Sequence, residues 1–193
     1  NFDLFDFQGT KQLIARAGYS KQGGFEIYFN GYELGENLWD TIWQAGQKFN
    51  ISPGCPNLIE RIEGGLMSYG NDFTSENNPI ECNLEKFCSD DSSHDFIGKN
   101  ALNKIRKEGV KQKIRGIIFD GNPCPTCAKP FPVFKDNIQI GQITSGIYSP
   151  RLKKNVGLSM ILKDFWNIGD GIKVLTTDNI MRTGIITSLP FPK

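Results

Sequence analysis

The 193-residue sequence lacks a long apolar run, a charge excess of either sign and all but one histidine. No segment approaches the roughly 20 consecutive apolar residues that cross a bilayer as a helix, so we expect no membrane partner. The 22 lysines and arginines are balanced by 21 acidic residues. That balance argues against general nucleic-acid binding, which depends on clustered positive charge. Hydrophobic residues make up 38% of the sequence, which is enough to form the core of a folded globular protein.

The five cysteines are few, odd in number and not preceded by a signal-peptide pattern. This usage favours reduced thiols and a cytoplasmic location. Only Cys124 and Cys127 form a C-x-x-C pair. A structural zinc site needs four ligands, and no second pair accompanies this one. We therefore expect an exposed loop with two free thiols and no bound metal.

The first residue is Asn1 rather than methionine, and a strand-like run begins at once. Residues 2–7 (F-D-L-F-D-F) alternate apolar and acidic side chains, with the period of a half-buried strand. Extended runs at 12–17 and 25–29 flank a glycine-bearing loop. We expect that an N-terminal portion of the protein precedes this sequence.

Three segments have the apolar spacing of amphipathic helices. The first runs from about 34 to 49, and its apolar residues recur every three or four positions (Leu34, Leu38, Ile42, Ala45 and Phe49, with Trp39 and Trp43 beside them). A short helix around 58–62 is weakened or ended by Gly64-Gly65. A third helix lies between Gly98 and Gly109, with Ala101, Leu102 and Ile105 predicted to point inward.

The pattern changes near residue 110, after which short β runs alternate with turns. The predicted strands are 114–119, 138–144, 156–162, 172–176 and 183–187. Regular short strands without long helices are typical of a small β-barrel or sandwich. Residues 107–113 are interpreted as a linker between the two parts of the chain.

The strand at 25–29 carries Glu26 and Tyr28 on one face and three apolar residues on the other. It follows Gly23 and Gly24, which allow a flat ligand to approach the backbone closely. A carboxylate such as Glu26 can accept paired hydrogen bonds from a ring N–H and an adjacent amine. The alternative is an exposed acid on a solvent-facing strand, and the residues alone do not choose between the two.

Two other sets of polar residues are predicted to have no catalytic function. Glu60, Arg61 and Glu63 fall within one helical turn and are interpreted as a local surface ion-pair cluster, a type of contact that stabilises little. His94 is the only histidine and lies in a polar loop without a serine or cysteine nucleophile motif. We therefore assign it no catalytic role.

Six motifs occur in one order and together resemble the glycine-cleavage T-protein (aminomethyltransferase) family. Residues 19–28 (Y-S-K-Q-G-G-F-E-I-Y) are similar to the family segment Y-T-G-E-D-G-F-E-I. Residues 61–72 (R-I-E-G-G-L-M-S-Y-G-N-D) are similar to R-L-E-A-G-L-x-L-Y-G-x-D. The other matches are P-I-E-C-N-L at 79–84, D-F-I-G-K-N-A-L at 95–102, I-G-Q-I-T-S-G-I-Y-S-P-R-L-K-K-N-V at 140–156 and L-P-F at 189–191. The ordered set covers nearly the whole chain, although each motif alone would be weak.

The resemblance implies an α+β fold in two domains. Residues 1–110 resemble the second half of the folate-binding α+β region, and residues 111–193 resemble the C-terminal Greek-key β-barrel. The family's N-terminal half has no counterpart in this sequence. The resemblance thus implies that the chain alone is not a competent enzyme.

Within the family, S-K-Q-G-G at 20–24 departs from T-G-E-D-G and looks like the dimethylsulfoniopropionate demethylase branch. The segments F-D-L-F-D-F at 2–7 and G-C-P-N-L-I-E-R-I-E at 54–63 look like the same branch. Aminomethyltransferases carry a folate-contacting arginine four residues before the counterpart of Arg61, and this chain has Asn57 there. This difference weakens the aminomethyl reading.

The implied activity is transfer of a methyl group from a small-molecule sulfonium substrate to tetrahydrofolate, the implied cofactor. Glu26 would anchor the pterin, Tyr28 would line its pocket, and Tyr19 would supply aromatic packing. The residues that hold the sulfonium substrate would lie mostly in the absent half, so the catalytic residues are not assigned. The alternatives are aminomethyl transfer from a lipoyl carrier and folate binding without turnover.

Overall fold

The computed structural model describes residues 2–54, 58–89 and 93–192. The chain divides into two compact units, Asn1–Asn57 and Leu58–Lys193. Over the three described ranges, no helix combines the length and the apolar character needed to cross a membrane.

The first unit is built on a three-stranded antiparallel sheet. Its strands are β1 (Phe2–Phe7), β2 (Thr10–Ala15) and β3 (Glu26–Tyr28), in the order β1-β2-β3. A two-residue turn joins β1 to β2 through Gln8 and Gly9, which both have positive φ. Such turns match the right-handed twist of a hairpin, so this turn fixes the register of the two strands. The predicted alternating strand at 2–7 is confirmed.

The first helix, α1 (Gly35–Gly46), continues through a short 3₁₀ turn at Gln47–Phe49. This agrees with the predicted helix from about 34 to 49. The rings of Trp39 and Trp43 are stacked, with 6.3 Å between their centroids. However, the helix contains no buried residue. Within α1, Leu38 and Trp43 are half-buried, and the rest of the apolar stripe is exposed. An amphipathic helix ordinarily buries that stripe in a core.

The second unit begins with α2 (Leu58–Glu63). The helix ends as the glycine pair predicts: Gly65 has a φ of +66°, and its N–H donates to the carbonyl of Ile62 at 2.8 Å. The N–H of Leu66 donates to the carbonyl of Arg61, also at 2.8 Å. These two bonds define a Schellman motif, which requires a residue with positive φ.

A second helix of this unit, α3 (Lys99–Glu108), lies between Gly98 and Gly109 as predicted. Leu102 is buried, but Ala101 is exposed rather than inward. Strand β4 follows after only three residues, so most of the predicted linker at 107–113 belongs to regular structure.

Residues beyond α3 form a closed six-stranded antiparallel barrel in the order β4-β7-β6-β5-β8-β9. Strand β4 lies beside the last strand of the β5-β6-β7 meander, which is a Greek-key arrangement. The predicted barrel is thus confirmed. Its strands are β4 (Gln112–Phe119), β5 (Phe131–Lys135), β6 (Ile138–Ser149), β7 (Lys154–Leu162), β8 (Gly171–Leu175) and β9 (Met181–Thr187).

Strand β5 is not among the strands predicted from the sequence. It begins between two prolines, Pro130 and Pro132, and proline is rare inside paired strands. The structure accommodates Pro132 because pairing with β8 begins only at Val133. The β5–β6 hairpin closes through Asp136 and Asn137, which both have positive φ.

The barrel has a core of ten buried residues, and a second cluster joins the barrel to α2. In that second cluster, Ile62 of α2 packs with Ile114, Leu158 and Phe191. The main chain adds a bond of 3.1 Å from the N–H of Phe191 to the carbonyl of Glu63. Helix α2 therefore belongs to the packing of the barrel. The boundary between the two domains predicted from the family resemblance, at residue 110, stays a prediction.

Candidate functional site

The sequence-predicted pair on β3 is brought together by the strand. The Tyr28 hydroxyl donates a hydrogen bond to Oε2 of Glu26, with 3.3 Å between the oxygens. Both side chains are exposed. Alternate residues of a strand point to the same face of the sheet. The contact confirms that Glu26 and Tyr28 lie on the same face of β3.

The sheet register shows which side chains surround this pair. Glu26 lies opposite Ala15 and Tyr28 lies opposite Leu13. Leu13 in turn lies opposite Leu4 of β1, which is 61% exposed. Residues directly opposite in an antiparallel pair lie on the same face. The carboxylate is therefore set at the side of an apolar surface, where a planar heterocycle could lie flat while its edge donates to Glu26.

The loop between β2 and β3 contains Tyr19, which is 53% exposed, and the two glycines. A Cβ added at Gly23 would lie 3.2 Å from an Nη of Arg16, so this glycine makes room for the guanidinium. The guanidinium lies over the ring of Phe25, with 4.8 Å to the centroid. The position of Arg16 was not predicted, because nothing in the local sequence pattern indicates this packing.

A second polar centre lies in the other unit, around Asp72, whose side chain is fully removed from solvent. Arg61 donates to its Oδ2 at 3.0 Å, and the backbone N–H of Ser68 donates to the same oxygen at 2.8 Å. Its Oδ1 accepts from the hydroxyls of Thr144 and Ser145, each at 2.6 Å. Since charged and backbone donors surround it, the buried carboxylate is fully compensated.

Nη2 of Arg61 donates to the Ser145 hydroxyl at 2.8 Å, whereas Nη1 binds Asp72. Glu63 accepts from Ser149 and forms an ion pair with Arg151, whose Nε lies 2.6 Å from Oε2. The interpretation of this segment as a local surface cluster is therefore wrong. Arg61 is buried. Arg61 binds Ser145 of β6, and Glu63 binds Ser149 of β6 and Arg151 just after it, all more than 80 positions away in the sequence.

The two cysteines of the C-x-x-C pair are free thiols. They are half-buried and pack against the barrel core, so the predicted exposed loop is only partly correct. Burial raises the pKa of Cys124, and it raises the pKa of Cys127 to about 11. Asn155 holds the loop by accepting from the N–H of Cys124 at 2.7 Å.

In the part of the chain that the structure describes, no three His, Cys, Asp or Glu residues are grouped as a metal site. His94 is exposed, and its carbonyl accepts from Lys99 at 2.5 Å. Asn57 lies outside the described residues.

The fold thus consists of a sheet unit with an exposed acidic and aromatic face, and a unit built around a closed Greek-key barrel. Residues 1–92 match the family model for the GCVT N-terminal domain. Residues 112–193 match the model for the glycine cleavage T-protein C-terminal barrel domain. The chain belongs to the glycine cleavage T-protein family.

Two curated relatives illustrate the similarity. The dimethylsulfoniopropionate demethylase DmdA of Ruegeria pomeroyi is 47% identical over 90% of this chain and 47% of its own length. The aminomethyltransferase of Thermoanaerobacter pseudethanolicus is 36% identical over 96% of this chain and 50% of its own length. The chain spans about half the length of the curated relatives it matches.

Among solved structures, the chain is similar to glycine cleavage system aminomethyltransferase T from Bartonella henselae, with a TM-score of 0.77 at 21% identity. The match covers 94% of this chain and 50% of that one. At this identity, the likeness supports the fold alone.

Proposed function

We propose that this chain forms the pterin-anchoring strand and the C-terminal barrel of a tetrahydrofolate-dependent methyltransferase. In this proposal the donor is the sulfonium compound dimethylsulfoniopropionate, and the acceptor is N5 of tetrahydrofolate. The observation that carries the proposal is the Glu26–Tyr28 pair on β3, within the segment that resembles the family's pterin-binding motif.

The residues present fit a reduced pterin. Its edge offers a ring N–H beside an amino group, and a carboxylate accepts such a pair of donors. The Tyr28 hydroxyl occupies only Oε2 of Glu26 in the contacts described above. Leu4 and Leu13 lie on the same face of the sheet. Glu26 would therefore fix the orientation of the ring while the apolar side chains support its plane, with Tyr28 and Tyr19 as further lining residues.

When bound, tetrahydrofolate supplies the nucleophilic nitrogen that accepts the methyl group. The leaving group is a neutral thioether, so the protein needs no strong acid or base. Its contribution is to hold the acceptor in one orientation and to exclude water, and orientation alone lowers a barrier substantially. Aromatic side chains such as Tyr28 also suit a sulfonium cation through cation–π attraction.

The choice of donor rests on the sequence. The Ruegeria pomeroyi demethylase is 47% identical to this chain, whereas the aminomethyltransferases of Thermoanaerobacter pseudethanolicus and Caldanaerobacter subterraneus are 36% and 35% identical. The S-K-Q-G-G segment at 20–24 and Asn57 also favour the demethylase branch. Aminomethyl transfer is the second candidate, because the aminomethyltransferases match more of this chain than the demethylase does.

The test uses this chain together with the half of its relatives that has no counterpart in it, which we call the full-length protein. It is assayed with tetrahydrofolate and each donor in turn. Methyl transfer from dimethylsulfoniopropionate, without reaction of an aminomethyl-lipoyl carrier, would support the proposal. The reverse preference would support aminomethyl transfer. Folate binding with neither reaction would support a non-catalytic role.

A further inference from the structure

The apolar stripe of α1 is exposed although its sequence has the pattern of a core-facing helix. Ile42 is 41% exposed, Trp39 is 58% exposed, and Phe49 in the following 3₁₀ turn is 75% exposed. On a helical wheel, Leu38, Ile42 and Phe49 fall on one line, and Trp39 flanks it. Glu36, Asp40 and Gln44 occupy the opposite side, so the apolar face is separated from a polar one. We call the surface of Trp39, Ile42 and Phe49 the α1 face.

Contiguous exposed apolar surface of this kind usually marks an interaction site. The comparisons indicate the occupant. Residues 112–193 match the family's C-terminal barrel, and the curated relatives are about twice as long as this chain. The part of the relatives without a counterpart here is therefore the N-terminal half. A second copy of the chain would lack the same half, so it would not supply the part of the relatives that has no counterpart here.

We propose that the α1 face binds the polypeptide that corresponds to the N-terminal half of these relatives, and that it does so even when the two halves are separate chains. An amphipathic helix with its apolar stripe open can pack onto a complementary apolar surface without a covalent link. This proposal concerns association alone. It is independent of which one-carbon donor is used, so failure of methyl transfer would leave it unaffected.

The probe is the N-terminal half of the Ruegeria pomeroyi demethylase, made as a separate polypeptide. It is mixed with the 193-residue chain and analysed by size-exclusion chromatography with light scattering. A fluorescence titration follows the signal of Trp39 and Trp43. We expect a one-to-one complex and a change in tryptophan emission on binding.

A matched pair of variants locates the surface. Phe49 and Phe87 are exposed to 75% and 74%, and each lies beneath a neighbouring lysine, Lys48 or Lys86, at about the same distance. Phe49→Ser should weaken the complex about tenfold or more, as expected for an aromatic anchor. Phe87→Ser should change the affinity by less than about twofold, since most exposed positions contribute little.

Three outcomes would overturn the proposal: no complex at micromolar concentrations, equal loss from both variants, or a dimer of the chain that only Phe49→Ser disrupts. The last would assign the α1 face to a second copy. Thermal melts of both variants check folding, and Ile42→Asn with Ile138→Asn as its control repeats the test should Phe49→Ser fail to fold.

Discussion

Arg61 donates to Asp72 across 3.0 Å, and both side chains are almost fully buried. Ser145 of the barrel strand β6 contacts both of them, accepting from Arg61 and donating to Asp72. The ion pair therefore joins α2 to the segment after it, and Ser145 fastens both to the barrel. A buried pair of this kind is costly to break, because removal of one partner leaves the other charge without compensation.

Arg61→Leu should lower the free energy of unfolding by about 3–5 kcal/mol. The reason is that the Asp72 carboxylate would stay buried without its cation. Urea unfolding, followed by circular dichroism, measures the change. Lys104→Ala is the control, because the Lys104–Glu108 pair is exposed and should contribute less than about 1 kcal/mol. Similar losses in the two variants would mean that burial does not govern the strength of these pairs.

The fragment 58–193 should fold by itself, and the fragment 111–193 should be markedly less stable. Loss of α2 would uncover Ile114 and Phe191, which pack against Ile62. Within the longer fragment, Ile62→Ala should cost about 2–5 kcal/mol, as expected for a large-to-small change in a core. Thermal melts of the two fragments decide the matter. Equal melting temperatures would show that the barrel is complete without α2.

The stability of the chain should fall as the pH rises from about 9 to about 11. Burial raises the pKa of Cys127 from 9.0 to about 11, so the folded state holds this proton more tightly than the unfolded state does. The stabilisation that comes from this proton is complete below pH 9, and it is lost as the pH rises through the pKa that Cys127 has in the folded state. Cys82 has the same shift, so Cys127→Ser should reduce the loss only in part. The readout is a series of melts at fixed ionic strength, and a flat profile for the wild type would refute the assignment.

Glu26→Gln in the full-length protein should weaken tetrahydrofolate binding by about 1.5–3 kcal/mol, the range for a hydrogen bond to a charged group. Calorimetric titration gives the affinity directly. Glu36→Gln is the matched control, because Glu36 is an exposed glutamate on the polar side of α1. Unchanged affinity in Glu26→Gln, or an equal loss in both variants, would remove Glu26 from the site.

The sequence predicted the parts of the fold that have a strong local signal. The alternating run at 2–7 gives β1, the apolar spacing at 34–49 gives α1, and Gly65 ends α2. Strand β5 was not predicted because Pro132 argues against a strand. The strand can contain this proline because pairing with β8 begins only at the next residue, Val133. Local pattern thus determines elements that do not depend on their neighbours.

The remaining features depend on residues distant in sequence. The buried role of Arg61 could not be predicted, since Ser145 lies 84 positions away. Leu13 shares the face of Glu26 through the pairing of β2 with β3, and Leu4 joins that face through the register that the Gln8–Gly9 turn fixes. The candidate pair itself was predictable because Glu26 and Tyr28 are two positions apart on one strand.

The most direct test of the central claim is single-turnover methyl transfer by the full-length protein, with dimethylsulfoniopropionate and tetrahydrofolate. Formation of 5-methyltetrahydrofolate is followed by mass spectrometry, and the 193-residue chain alone serves as the reference. The proposed function predicts product with the full-length protein and none with the reference. Transfer from an aminomethyl donor with none from dimethylsulfoniopropionate, or methyl transfer by the 193-residue chain without its partner half, would contradict it.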